Sequence, residues 1–256
     1  MTPSLSLLCL PLLALFAQPI VGAAVVPSGF NQSITRSSQK QIASGSSITY
    51  GKISDSLSWQ ASGPLYSGCN LNGVSISDCY QFTLSSDATK NLEDYSTTSP
   101  RQRTEFLTPS AAAGTTHRYR WSYYLQSPVG TSSHFFHLMQ LFSRDDDGPI
   151  LTLDAINGVI AIKDNYRDCS KTGCPSISLS AFTNKTTIHD VTVTYGPTKG
   201  SFKYVITDSA TSKVLLSYSA SGNMGGNASI KFGTYRLAIS NMQSSIAAAG
   251  DFKVLV

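Results

Sequence analysis

Residues 229–236 read Ser-Ile-Lys-Phe-Gly-Thr-Tyr-Arg. In an extended chain Ile230, Phe232 and Thr234 fall on one side and Lys231, Gly233 and Tyr235 on the other, the alternation of a strand with one face in a core. Gly233 leaves a gap between a cation and a phenol, through which a ligand is expected to reach the backbone. Runs of the same kind recur at 80–84, 103–107, 117–125, 135–142, 150–153, 159–162, 191–195, 201–207, 213–219, 230–237 and 251–256, with Gly, Pro and Asn between them. A single helical turn or two is expected only at 87–95, and one or two short strands in the Ser- and Gly-rich stretch before residue 64. Many short strands without alternating helices predict an all-β chain, an antiparallel two-sheet sandwich of the β-jelly-roll kind.

The chain has 256 residues, 13% of them charged and 41% hydrophobic, a balance suited to a secreted β-protein. Its apolar run at 7–17 is too short to span a bilayer and is followed by Val21-Gly22-Ala23, so 1–23 reads as a signal peptide and 24–256 as one domain. No later segment is apolar enough for a membrane. Cys9 leaves with the signal, and the spacings suggest the local pairs Cys69 with Cys79 and Cys169 with Cys174, although four cysteines admit three connectivities. A zinc site would need a CxxC or a nearby His pair, and neither is present. Asn31, Asn184 and Asn227 open glycosylation sequons.

The net charge of +4 is too small for a nucleic-acid binder but suits a local basic cleft for an acidic ligand. Glu93 and Glu105 are the only glutamates, and no closely spaced Glu pair is available in sequence, which counts against a glycoside hydrolase. Asp145-Asp146-Asp147-Gly148 reads as a solvated hairpin turn, with calcium as the alternative but without EF-hand spacing. No metal, cofactor, nucleic-acid or membrane partner is expected, and the chain is expected to be a monomer.

Three further strands carry polar chemistry. Arg101, Arg103 and Glu105 share one face, where two guanidiniums beside a carboxylate form either an anion-binding surface or a plain solvated one. At 135–142, Gln140 shares a face with His134, Leu138 and Phe142, with His137 and Met139 opposite; an amide in so apolar a strand needs partners. At 117–125, Tyr119, Trp121 and Tyr123 face away from Arg118, Arg120 and Tyr124, as a core stripe or a sugar-stacking platform.

Taken in order, RTEF at 103–106, the Gln140 strand and IKFGTYR at 230–236 resemble the signature strands of the jelly-roll polysaccharide lyases. In alginate-lyase members these read RTEL or RSEL, QIH and YFKAGVYNQ, and fungal glucuronan lyases share the fold. The resemblance implies a concanavalin-like sandwich and a secreted enzyme that cleaves a uronic-acid polymer by β-elimination. It assigns Arg103 and Gln140 to the uronate carboxylate and Tyr235 to proton transfer. Lys231, Arg101 and Glu105 then line the cleft. Phe142 stands where the motif has its His, a departure for which His134, on the same expected face, could substitute. A lone proton-transfer group favours glucuronate or mannuronate, whose C5 hydrogen and leaving oxygen are syn, and the fungal look of the sequence favours glucuronan-like chains. The rival reading is a non-catalytic, lectin-like carbohydrate-binding sandwich.

Overall fold

The structure, a computed structural model, describes residues 38–95 and 98–255. Residues 1–23 and Asn31 lie outside them.

Strands β1 (Lys40–Ser44), β2 (Thr49–Ser54), β3 (Leu57–Ala61), β4 (Pro64–Ser67) and β5 (Cys79–Leu84) lead into β6 (Arg101–Leu107). They are followed by β7 (Ala111–Ala112), β8 (Thr116–Leu125), β9 (Phe136–Ser143), β10 (Gly148–Ile156) and β11 (Val159–Asp164). After the one-turn helix α1 (Cys169–Thr172) come β12 (Ser176–Ser178), α2 (Leu179–Phe182), β13 (Thr186–Thr194), β14 (Gly200–Asp208), β15 (Val214–Gly222), β16 (Asn227–Leu237) and β17 (Ser245–Leu255). One sheet runs β1-β4-β5-β17-β8-β13-β14-β15 and the other β12-β11-β10-β9-β16-β6-β3-β2, with β7 paired to β16. This is the antiparallel jelly-roll sandwich that the strand pattern predicts.

The core is where the two sheets meet. Trp121 of β8 stacks on Phe232 of β16 at 4.6 Å between ring centroids, and the Tyr123 hydroxyl donates across the interface to the Gly233 carbonyl at 2.9 Å. Trp121 and Tyr123 are buried, so the stripe is core and the sugar-stacking reading falls away. Asn157 and Gly158 both adopt positive φ and close the β10–β11 hairpin, as an Asn-Gly pair does. Residues 145–147 form the β9–β10 turn. Both local cysteine pairs are bonded, Cys69 to Cys79 and Cys169 to Cys174.

No helix forms at 87–95. The Asp87 carboxylate accepts from the Thr89 backbone and hydroxyl, and Asn91 takes a left-handed φ of 54°, both of which turn the chain away from helical geometry. Instead, the buried Gln102 amide donates to the carbonyls of Ser85, Asp87 and Lys90. That peg fixes the loop against β6.

Candidate active site

Five adjacent strands, β10, β9, β16, β6 and β3, bring one polar cluster together on the nine-stranded sheet. Glu105 is its hub. Only 1% exposed, it accepts from the Gln140 amide at 2.6 Å and the Gln60 amide at 3.1 Å, and Arg103 Nε lies 3.4 Å away. Register explains the convergence: Glu105 pairs with Gly233 and with Gln60, while Lys231 pairs with Gln140.

Next along β6 and β16, Arg103 pairs with Tyr235. Its guanidinium sits 3.9 Å from the Tyr235 ring centroid, and Arg101 donates to the Tyr235 hydroxyl at 2.9 Å. The phenol oxygen therefore already accepts one bond from a cation. Burial alone would weaken the charged form of Arg103, but Glu105, Tyr235 and Glu93 outweigh it and hold the guanidinium above its ordinary value. Lys231 shows the opposite balance. Burial pulls it down to about 8, opposed by Glu105 and helped by Arg103 and Arg144. Its ammonium lies 3.5 Å from the Phe142 ring centroid, a cation–π contact.

The histidine in the cluster is His137, not His134. His134 lies before β9 and is exposed. Simple alternation fails because the pairing is irregular on both sides of β9: β16 carries an extra residue against it, Phe232 pairing with Met139 and Tyr235 with His137, and β9 carries one against β10, Leu153 pairing with Met139 and Asp154 with His137. Between residues 137 and 140 the strand thus changes face, so that His137 and Gln140 lie on one side and Leu138 enters the core. His137 Nδ1 bonds Asp154 Oδ1 at 2.5 Å, and its ring lies 5.7 Å from that of Tyr235. Because a carboxylate only accepts, Nδ1 is the donor to Asp154, and in the neutral ring Nε2 is left as an acceptor.

Gly233 also departs from expectation. A Cβ there would stand 2.3 Å from the Thr104 carbonyl oxygen and 2.8 Å from Glu105 Cα, so its missing side chain serves the close approach of β6 and not that of a ligand. The two glutamates, far apart in sequence, both reach Arg103: Glu93 Oε2 is 3.2 Å from Nη2. The contact gathers both carboxylates on one cation and leaves the case against a glycoside hydrolase, which needs a carboxylate pair flanking the scissile bond, unchanged. Glu105 is also too enclosed, with both oxygens already accepting, to attack a sugar.

Asp154, Glu93, Gln60 and the placement of His137 escaped the sequence reading. For Asp154 a signal existed, an acid inside an apolar strand, which must find a partner. Glu93 and Gln60 depend on long-range pairing and left no local trace. The sequon residues Asn184 and Asn227 are both exposed.

No family model matches the chain, and no curated protein does. Among solved structures it is similar to an alginate lyase of polysaccharide lyase family 7, at 13% identity and a TM-score of 0.47 over 74% of this chain and 81% of that one. It is similar to the alginate lyase from Alteromonas sp. 272 at 13% identity and 0.43, over 74% and 92%. Lectin II from Ulex europaeus matches at 9% identity and 0.42, over 87% and 100%. Likenesses at this level concern the fold alone. They span lyases and lectins alike, so no residue role is carried across from them.

Proposed function

We propose that the protein is a polysaccharide lyase that cleaves a uronic-acid polymer, glucuronan- or alginate-like, by β-elimination. The observation that carries this reading is Tyr235, its hydroxyl held at 2.9 Å by Arg101 and its ring 3.9 Å from the Arg103 guanidinium. The C5 hydrogen of a uronate becomes removable when its carboxylate is neutralised and the enolate-like charge is stabilised, work that suits Arg103, Lys231 and the Gln140 amide. As the C5–H bond breaks, its electron pair forms the C4–C5 double bond, and the C4–O bond breaks with its pair going to the leaving oxygen. That oxygen must gain a proton.

Tyr235 serves both transfers when hydrogen and leaving group are syn. When they are anti, His137 Nε2 takes the proton and the Tyr235 hydroxyl supplies one to the leaving oxygen. The case for a strictly syn substrate rested on a missing second group, and His137 removes that basis. Two disulfides support export to an oxidising compartment.

Incubation with glucuronan, alginate, hyaluronan and pectate, followed by ultraviolet absorbance, tests the reading. Unsaturated uronate ends are expected on at least one polymer, with loss of about 10²–10⁴ in rate for Tyr235→Phe at unchanged fold. New reducing ends without absorbance would indicate hydrolysis, and binding without cleavage a lectin. Full activity in a well-folded Tyr235→Phe protein would remove Tyr235 from the mechanism.

A further inference from the structure

The chain has only two glutamates, and both are directed at one guanidinium. Glu105 alone is enough to neutralise Arg103. The second carboxylate, Glu93, arrives from the stretch at 85–93, whose backbone is held at several points. Besides the three carbonyls taken by Gln102, the Asn91 amide donates to the Gly45 carbonyl, the Asn91 carbonyl accepts from Ser62, and the Glu93 amide donates to the Arg101 carbonyl. Leu92, just before it, is buried. The scaffold thus holds the Glu93 backbone still and leaves only its side chain to move.

The contact that results is poor. Glu93 Oε2 approaches Arg103 Nη2 to 3.2 Å, yet Oε2 is buried without a hydrogen bond, and so is Arg103 Nε at 3.4 Å from Glu105. A guanidinium offers a planar fork, and its strong partner is a carboxylate that can meet two of its N–H groups in plane. Buried polar atoms left unpaired are costly, so Arg103 is not fully satisfied by its own protein.

We propose that Glu93 is a resident stand-in for the substrate's carboxylate: it occupies the outer side of Arg103 in the free protein and swings away when a uronate carboxylate binds there. The inference rests on the reading of Arg103 as the uronate-binding group. Affinity is then set by a competition between an internal and an incoming carboxylate. With Glu93 in place a second anion meets repulsion, and with it withdrawn the site regains a net attraction for negative charge. A neutral sugar does not compete with Glu93 for Arg103, so the exchange lowers affinity for uronates and leaves that for neutral chains unchanged.

Calorimetric titration of the intact protein with D-glucuronate, and with D-glucose as the neutral control, tests this. Glu93→Gln keeps the side-chain size and removes the charge, and Glu93→Ala is the second variant should the first fold poorly. About tenfold tighter glucuronate binding is expected for either, with glucose unchanged and the gain lost when Arg103→Gln is added. Equal or weaker glucuronate binding by both folded variants overturns the proposal and makes Glu93 a support for Arg103. If neither wild type nor variants bind glucuronate, the uronate reading of Arg103 fails and the stand-in fails with it.

Discussion

Lys231 shows how burial sets the working range of a single residue. Its ammonium is close to neutralisation near pH 8, since burial, with Arg103 and Arg144, pulls its pKa down to about 8 against the opposing pull of Glu105. A uronate is drawn to the charged form, so kcat/KM is expected to fall as pH rises through about 8, and a pH–rate profile checks it. Lys231→Arg keeps its charge throughout, so in that variant this alkaline limb should move to higher pH; an unmoved limb would assign it to another group. Unfolding does not explain the loss. Between about 8 and the unfolded lysine value of about 10.4 the unfolded chain binds the extra proton, so this group makes the fold more stable as pH rises. Lys231, Arg103, Gln140 and Tyr235 could be picked out from sequence because each stands out chemically within a strand. Glu93 could not, since what brings it to Arg103 is Gln102 gathering three carbonyls of a loop that reads locally as a helical turn.

At the scale of the element, β9 was legible as a strand but not in its faces, whereas β16 keeps the expected division, with Ile230 and Phe232 in the core and Lys231 and Tyr235 at the polar cluster. Period-two counting places His134 with Gln140, and one added residue in β9 relative to β10 brings in His137 instead. Bulges follow from how a strand meets its neighbours, and the strand's own residues carry little record of them. Gly233 is the exception that can be seen, at φ 147° in the irregular stretch of β16 between Phe232 and Tyr235. Gly233→Ala would drive a Cβ against the Thr104 carbonyl and demand a backbone angle that alanine avoids. A loss of about 3 kcal/mol or more in denaturant unfolding is expected. Activity should fall beyond the loss of folded protein, because Tyr235 and His137 depend on this register. A variant as stable as wild type would show that β6 and β16 can separate there without harm.

Across the whole molecule, chemistry and covalent reinforcement fall in different places. The polar cluster lies on β10, β9, β16, β6 and β3, whereas Cys69–Cys79 packs with Tyr124 and Ala248 on the eight-stranded sheet. Cys169–Cys174 closes α1 beside β11 and β12, at the edge of the other sheet, with β9 and β10 between it and β16. Their sequence separations are 10 and 5 residues, and loop-closure entropy assigns such short rings on the order of 2–3 kcal/mol each. Replacing Cys169 and Cys174 by Ser should therefore lower the denaturant midpoint with little change in slope, since so short a ring constrains little of the unfolded chain's surface. The ring removed touches none of Arg103, Gln140, Tyr235 or His137, so turnover per folded molecule, measured well below the new midpoint, should equal that of wild type. The Cys69, Cys79 pair should behave alike, with the slightly larger loss its longer ring implies. A fall in specific activity at full folding for either pair would mean that strain passes through β10 and β9, or through the core between Trp121 and Phe232, to the cluster. The two sheets would then act as one mechanical unit rather than as a frame and a separate reactive face.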